Sequence, residues 1–196
     1  MSAVSRSLIP KPTHDTVMVQ LNGSGNIGGA GTGYASELLR RFGDAYGARV
    51  EQFPVPAFFD DPRTRDAFWR ERAVLRILDL QRRLDVALFG VGSPFAEVPS
   101  HVYHGDYLDR SDYDELQADG AVGDVATVFY RADGSADLPL NARATGPDFT
   151  VLRRTPRRVC VASGPAKVPS LRGAIAAGLI TDLVIDEPTA LALLAT

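Results

Sequence analysis

Val86-Ala87-Leu88-Phe89-Gly90-Val91-Gly92-Ser93 sets an uninterrupted apolar run of strand length against a stop of two glycines and a hydroxyl. With Asp85 as its first residue, the run reads as a strand buried on both faces, the kind a parallel sheet requires. Just upstream, residues 64–84 carry the longest helical pattern in the chain, with Phe68, Val74, Leu75 and Leu78 on one side and Ile77, Leu80 and Leu84 beside them. Further upstream, Val17–Leu21 is a short apolar strand stopped by Asn22-Gly23, and Arg49–Phe53 is a second strand closed by Pro54-Val55-Pro56. Between them, six of the twelve residues from Asn22 to Gly33 are glycine, which marks a loop. Ala35, Leu38, Leu39, Phe42 and Tyr46 then trace one face of a helix ended by Gly43 or Gly47. Strand, helix and strand in succession imply right-handed crossovers and a parallel sheet.

Downstream, Asp109–Ala118 reads as a short acidic helix. Val125–Arg131 reads as a β-branched and aromatic strand that Asp133-Gly134 turns into a hairpin. Phe149–Arg154 makes one or two helical turns, and Val159–Ala162 is another buried strand stopped by Ser163-Gly164-Pro165. A helix spans Pro169–Ala177 with Gly178 as its stop, and Leu183–Ile185 is a last strand. Pro188 opens a final helix over 189–195, capped by Asp186 or Glu187. Residues 1–16 are expected to be a tail or the remnant of an earlier helix, and 17–196 one domain. The fold class expected is α/β: a mainly parallel sheet with helices on both faces and one hairpin insertion.

Composition narrows the functional classes. The 196 residues are 45% hydrophobic and 23% charged, with a formal net charge of −3, values that exclude disorder, collagen-like fibre and coiled coil. No apolar run approaches the roughly 20 residues of a membrane helix, and the N-terminus has no apolar signal segment, so the expected compartment is the cytoplasm. The lone Cys160 excludes an internal disulfide framework and a Cys-rich zinc site. The slightly acidic balance gives no footprint for nucleic acid. Of the 21 basic residues 19 are Arg, leaving Lys11 and Lys167 as the only lysines.

Ligands of parallel α/β sheets bind outside the carboxyl ends of the strands, and that rule selects four loops. Asn22–Gly33 offers glycines and a helix N-terminus to an anion, without the G-x-G-x-x-G or G-x-x-x-x-G-K-[ST] spacing of nucleotide sites; a plain flexible loop explains it equally well. Gly90-Val91-Gly92-Ser93 suits close approach of a sugar or phosphate, or is simply a tight turn. His101 and His104 flank a segment ending in Asp106, but only His14 remains as a further histidine, so a ligand hydrogen bond from His104 is a better expectation than a metal, and a solvated loop a better one still. Ser163-Gly164-Pro165-Ala166-Lys167 places a point charge suited to phosphate just before a helix N-terminus. Lysine is also able to form a Schiff base with an aldehyde sugar. Asp124, at the entry of a strand, is positioned either to accept from sugar hydroxyls or to cap a turn. No G-x-S-x-G, no H-E-x-x-H and no carboxylate pair for acid–base work is present, so these loops favour binding over catalysis.

Six motifs in order complete the picture: Val19-Gln20-Leu21-Asn22-Gly23; Val86 to Gly92; Gly120-Ala121-Val122-Gly123-Asp124; Leu140-Asn141-Ala142-Arg143; Val161-Ala162-Ser163-Gly164 with Lys167; and Gly178 to Glu187. Over residues 17–196 this series resembles the sugar-binding effector domain of SorC-type (DeoR-like) bacterial transcriptional regulators. The resemblance implies a fold related to the sugar-phosphate isomerase and CoA-transferase group, a phosphorylated sugar as effector, and a homo-oligomer, dimer or tetramer, that controls DNA binding through a separate N-terminal helix-turn-helix. It places ligand contacts at Asn22, Gly23, Gly90, Gly92, His104, Asp124 and Lys167, with Lys167 on phosphate. No cofactor, metal or membrane partner is implied. The chain departs from the family in lacking the helix-turn-helix and the first strand with its phosphate loop, Ser2–Leu8 resembling only the tail of the helix after that loop. Ser163-Gly164-Pro165 also stands where the family has a glycine pair. Two alternatives stay open: a sugar-phosphate isomerase-like enzyme with Asp124 as base and Lys167 as electrostatic stabiliser, and a ligand-free oligomerisation module.

Overall fold

The computed structural model describes residues 1–25, 30–94 and 107–195. Its architecture is mixed α/β with mostly parallel strand pairs. Strand β1 (Val17–Val19), helix α2 (Ala30–Tyr46) and strand β2 (Arg49–Glu51) form one unit, its strands parallel with Val17 opposite Arg49; a short helix α1 (Ser2–Arg6) precedes it. Strand β3 (Val86–Phe89) pairs in parallel with β6 (Arg157–Val161), which in turn pairs in parallel with β7 (Asp182–Val184), so β6 is central. Antiparallel β4 (Ala121–Val125) and β5 (Val128–Arg131) make a separate pair. Among the described residues the expected single sheet is thus three hydrogen-bonded pieces. Helices α3 (Pro62–Phe68) and α4 (Arg72–Arg82) link β2 to β3; α5 (Arg110–Ala118) precedes β4; α6 (Phe149–Arg154) precedes β6; α7 (Val168–Ala176) joins β6 to β7; and α8 (Glu187–Leu194) follows β7.

The local chemistry explains these boundaries and several corrections. Helix α2 starts at Ala30, so Gly31 and Gly33 lie inside a helix where the sequence suggested loop. Gly43 lies inside it too, and the stop is Gly47 at φ +63°. The expected helix over 64–84 is two: α3 is capped by the Asp61 carboxylate and Pro62, then breaks at Trp69, whose ring lies 5.7 Å from Phe53 and 6.2 Å from Phe59. A continuous helix would carry Trp69 past that aromatic pair. Strand β2 ends at Glu51 because the Phe53 N–H leaves the ladder for the Gln20 side chain, at 3.1 Å. Gly120–Asp124 is mostly strand, and the hairpin turns at Ala126-Thr127, both at positive φ, with Asp133-Gly134 forming only a later turn. Two consecutive positive φ values are the backbone of a two-residue hairpin turn, and with no glycine at either position the turn has no local signature.

The hairpin alternates with the period of two expected of a strand. Val128 and Tyr130 face a core with Ala87 and Phe89 of β3, Cys160 of β6, Leu171 and Ala174 of α7, and Phe149 and Leu152 of α6. Phe129 faces the other way, into a cluster with Phe58, Leu116, Leu138 and Leu140. A third cluster packs Phe53, Val55 and Phe59 on Val74 and Ile77 of α4.

Candidate functional site

The carboxyl ends of β3 and β6 lie side by side in their parallel ladder, and the hairpin packs against the chain beyond β3. Beyond β3 the chain pairs Gly92 with Asp124: the Gly92 N–H donates to the Asp124 carbonyl at 2.8 Å and the Asp124 N–H to the Gly92 carbonyl at 3.4 Å. This bridge tolerates no side chain on its flank. A Cβ on Gly123 would stand 2.0 Å from Ser170 Oγ and 2.7 Å from the Gly92 oxygen. Ser170 of α7 donates to that same Gly92 oxygen at 2.5 Å and meets the Tyr130 hydroxyl at 2.8 Å. Helix α7 is therefore pressed onto the hairpin, and Lys167 at its N-cap comes with it.

Asp124 is buried at 4% exposure, and its carboxylate accepts the Thr127 N–H at 3.2 Å. The half-buried Lys167 ammonium lies within electrostatic reach of that carboxylate. Desolvation lowers the Lys167 pKa and Asp124 opposes the shift. Gly90 sits at the end of β3, where a Cβ would come within 3.2 Å of the Val161 oxygen of β6. Gly90, Gly92, Asp124 and Lys167 thus share one edge of the molecule.

Asn22 and Gly23 sit beyond β1 in a more closed setting. Gly23 is buried, its N–H donates to Thr145 Oγ1 at 3.0 Å, and a Cβ there would stand 2.1 Å from the Pro56 oxygen. The half-buried Asn22 donates through Nδ2 to the Gly23 carbonyl at 2.8 Å. His104 and the segment 101–106 lie outside the described residues.

The Ser163-Gly164 loop carries an arrangement that spacing alone did not show. Gly164 takes φ +101°, and its N–H is shared between Asp186 Oδ2 at 3.1 Å and Thr189 Oγ1 at 2.8 Å. Ser163 Oγ donates to the same Asp186 oxygen. Asp186 Oδ1 accepts the Thr189 N–H at 2.8 Å, which settles the capping residue of α8. Pulled on by these donors, the Asp186 carboxyl titrates at about 2. Ser170 and Thr145 were also missed; Ser170 follows Lys167 by three residues, one helical turn, and that spacing was the available signal.

A cleft of about 480 Å³ lies elsewhere, between Arg65, Trp69, Asn141, Asp148, Phe149 and Arg153. None of the expected contacts lines it. Among the described residues no group of three His, Cys, Asp or Glu side chains is placed to hold a metal ion, and no helix is long and apolar enough to cross a membrane.

A parallel α/β domain that gathers glycines, a buried carboxylate and a half-buried lysine beyond its strand ends is of the class that binds small polar ligands there. Residues 1–195 match the Sugar-bind family of sugar-binding domains, and the chain belongs to that family. It is 28% identical over 194 residues to the deoxyribonucleoside regulator of Bacillus subtilis strain 168, covering 98% of this chain and 61% of that protein. Among solved structures, a domain of a possible sugar-binding transcriptional regulator from Arthrobacter aurescens TC1 superposes with a TM-score of 0.92 at 57% identity, over 98% of this chain and 73% of that one. The full-length sorbitol operon regulator SorC from Klebsiella pneumoniae shares the fold, with a TM-score of 0.84 at 23% identity over 96% of this chain and 61% of that one. The resemblance to SorC- and DeoR-type regulators is therefore upheld across the chain.

Proposed function

We propose that the chain is the effector-binding domain of a cytoplasmic, sugar-responsive transcriptional regulator and that its effector is a phosphorylated sugar. The observation that carries this is the half-buried Lys167 ammonium, within electrostatic reach of the buried Asp124 carboxylate at the common carboxyl edge of β3 and β6. Phosphate takes the lysine and sugar hydroxyls take Asp124, with Asn22 and His104 as further hydroxyl contacts. Gly90 lets the ligand approach the backbone. Gly23 serves by close packing and Gly92 by its backbone bridge to Asp124, since their N–H groups already have partners within the chain.

Binding shifts the balance between two arrangements of a homo-oligomer, dimer or tetramer, by its different affinity for each. The exposed apolar side chains Leu191 and Leu194 on α8 supply a surface that self-association would cover. DNA contact belongs to a helix-turn-helix outside these residues, and kinship with the sugar-phosphate isomerase fold is part of the same proposal. Catalysis is not: among the described residues, the electrostatics of Lys167 name Asp124 as its single carboxylate neighbour, and acid–base work would call for a second.

Thermal unfolding with a panel of pentose and hexose phosphates tests the reading. The expected result is stabilisation without turnover for at least one compound, abolished by Lys167→Ala. Product formation would replace it with the enzyme; no shift with any compound would leave an oligomerisation module.

A further inference from the structure

Asp186 and Thr189 do more than start a helix. Two bonds from Asp186 reach out of α8 to Ser163 Oγ and the Gly164 N–H, and Thr189 Oγ1 adds a third to that N–H. Thr189 is fully buried, so its hydroxyl cannot turn to water instead. Gly164, held at φ +101°, in turn accepts the Lys167 N–H through its carbonyl at 2.9 Å, which closes the one-turn 3-10 helix Pro165–Lys167 ahead of α7. At its other end α8 is tied to α7, where Arg172 donates to the Leu193 carbonyl at 3.1 Å. One carboxylate therefore governs the path of the backbone that carries Lys167, and binds that path to a helix with an exposed apolar side.

We propose that Asp186 is a positioning residue for the Lys167 site, fixing the backbone path of the Ser163–Lys167 loop, and that it makes α8 the element through which occupancy of the site is felt. This rests on the proposed phosphate role of Lys167. A capping role alone would need only the bond to the Thr189 N–H. The bonds to Ser163 and Gly164 add nothing to a cap, and they are the ones that shape the loop.

The Asp186→Asn variant separates the two roles in the full chain. Asparagine is as good a helix cap as aspartate, and its oxygen keeps the Thr189 bond, while its NH₂ group cannot accept from Gly164. Ser163→Ala removes a loop bond and leaves the cap untouched. With ribose 5-phosphate and glucose 6-phosphate as probes, both variants are expected to stay folded at the temperature of the titration, Asp186→Asn melting below the wild type by what its carboxylate contributes. Affinity should nevertheless drop by about tenfold or more, the scale of one lost hydrogen bond to a charged group. Titration of Lys167 by NMR gives a readout without ligand: in Asp186→Asn its pKa should return toward the ordinary lysine value. Unchanged affinity in the folded variants, or an unchanged Lys167 titration, would overturn the positioning role. If the wild type binds neither probe, the phosphate reading fails, and the titration still decides whether Asp186 sets the lysine's place.

Discussion

Asp186 gathers the Ser163 hydroxyl, the Gly164 N–H and the Thr189 N–H onto one carboxylate, and its depressed pKa makes that gathering measurable. With a native value of about 2 against roughly 4 in the unfolded chain, the native state binds fewer protons through that interval. Its contribution to stability is present above the unfolded value and is lost as pH falls toward 2. Urea midpoints measured from pH 5 to pH 2 should therefore fall less steeply in Asp186→Asn than in the wild type. Equal slopes would show that the carboxylate is not held as described. Sequence reasoning saw Asp186 or Glu187 as a cap because capping is local, within three residues. The bonds to Ser163 and Gly164 span more than 20 positions and have no local signature. Gly23 shows the same limit: a glycine that admits a ligand and one that admits the Pro56 carbonyl look alike in a sequence.

At the scale of elements, the Leu140-Asn141-Ala142-Arg143 motif is architectural. Asn141 accepts from the Phe129 N–H and donates to the Phe129 and Ala136 carbonyls, all at 2.8 Å, so one amide completes the open edge of β5. Arg143 donates to the Phe59 carbonyl at 2.8 Å and pairs with the buried Asp112 of α5. Truncating Asn141 to Ala strands those three groups and should cost about 2–4 kcal/mol, read from chemical denaturation; a cost near zero would remove the motif's structural role. Strands β3 and β6 were legible because unbroken apolar runs followed by glycine have few other uses, although only Ala87, Phe89 and Cys160 are buried and Val86 is exposed, so they are not buried on both faces as the run suggested. The break between α3 and α4 was not, because the apolar period runs through Trp69 and the rings that stop the helix, Phe53 and Phe59, come from an earlier segment. The turn at Ala126-Thr127 escaped for a related reason. Its positive φ values are imposed by packing, with Thr127 buried and bonded to Asp124, in place of the usual glycine.

For the molecule as a whole, the class of fold and the family were readable from the order of short motifs, while the division of the sheet into separate pieces was not, since strand pairing is a long-range choice. What the tertiary structure adds is convergence: Gly92, Asp124 and Lys167, separated by more than 70 positions between first and last, meet because α7 packs on the hairpin through Gly123, Ser170 and Tyr130. The small number of lysines turns that convergence into a clean experiment. With only Lys11 and Lys167 in the chain, reductive ¹³C-methylation gives two lysine signals beside that of the N-terminus, and each can be assigned by a single substitution. Adding a pentose or hexose phosphate should move the Lys167 signal and leave Lys11 in place, whereas the unphosphorylated sugar should move neither as far. A Lys167 signal that stays fixed while the protein is saturated with the phosphorylated sugar would contradict the account.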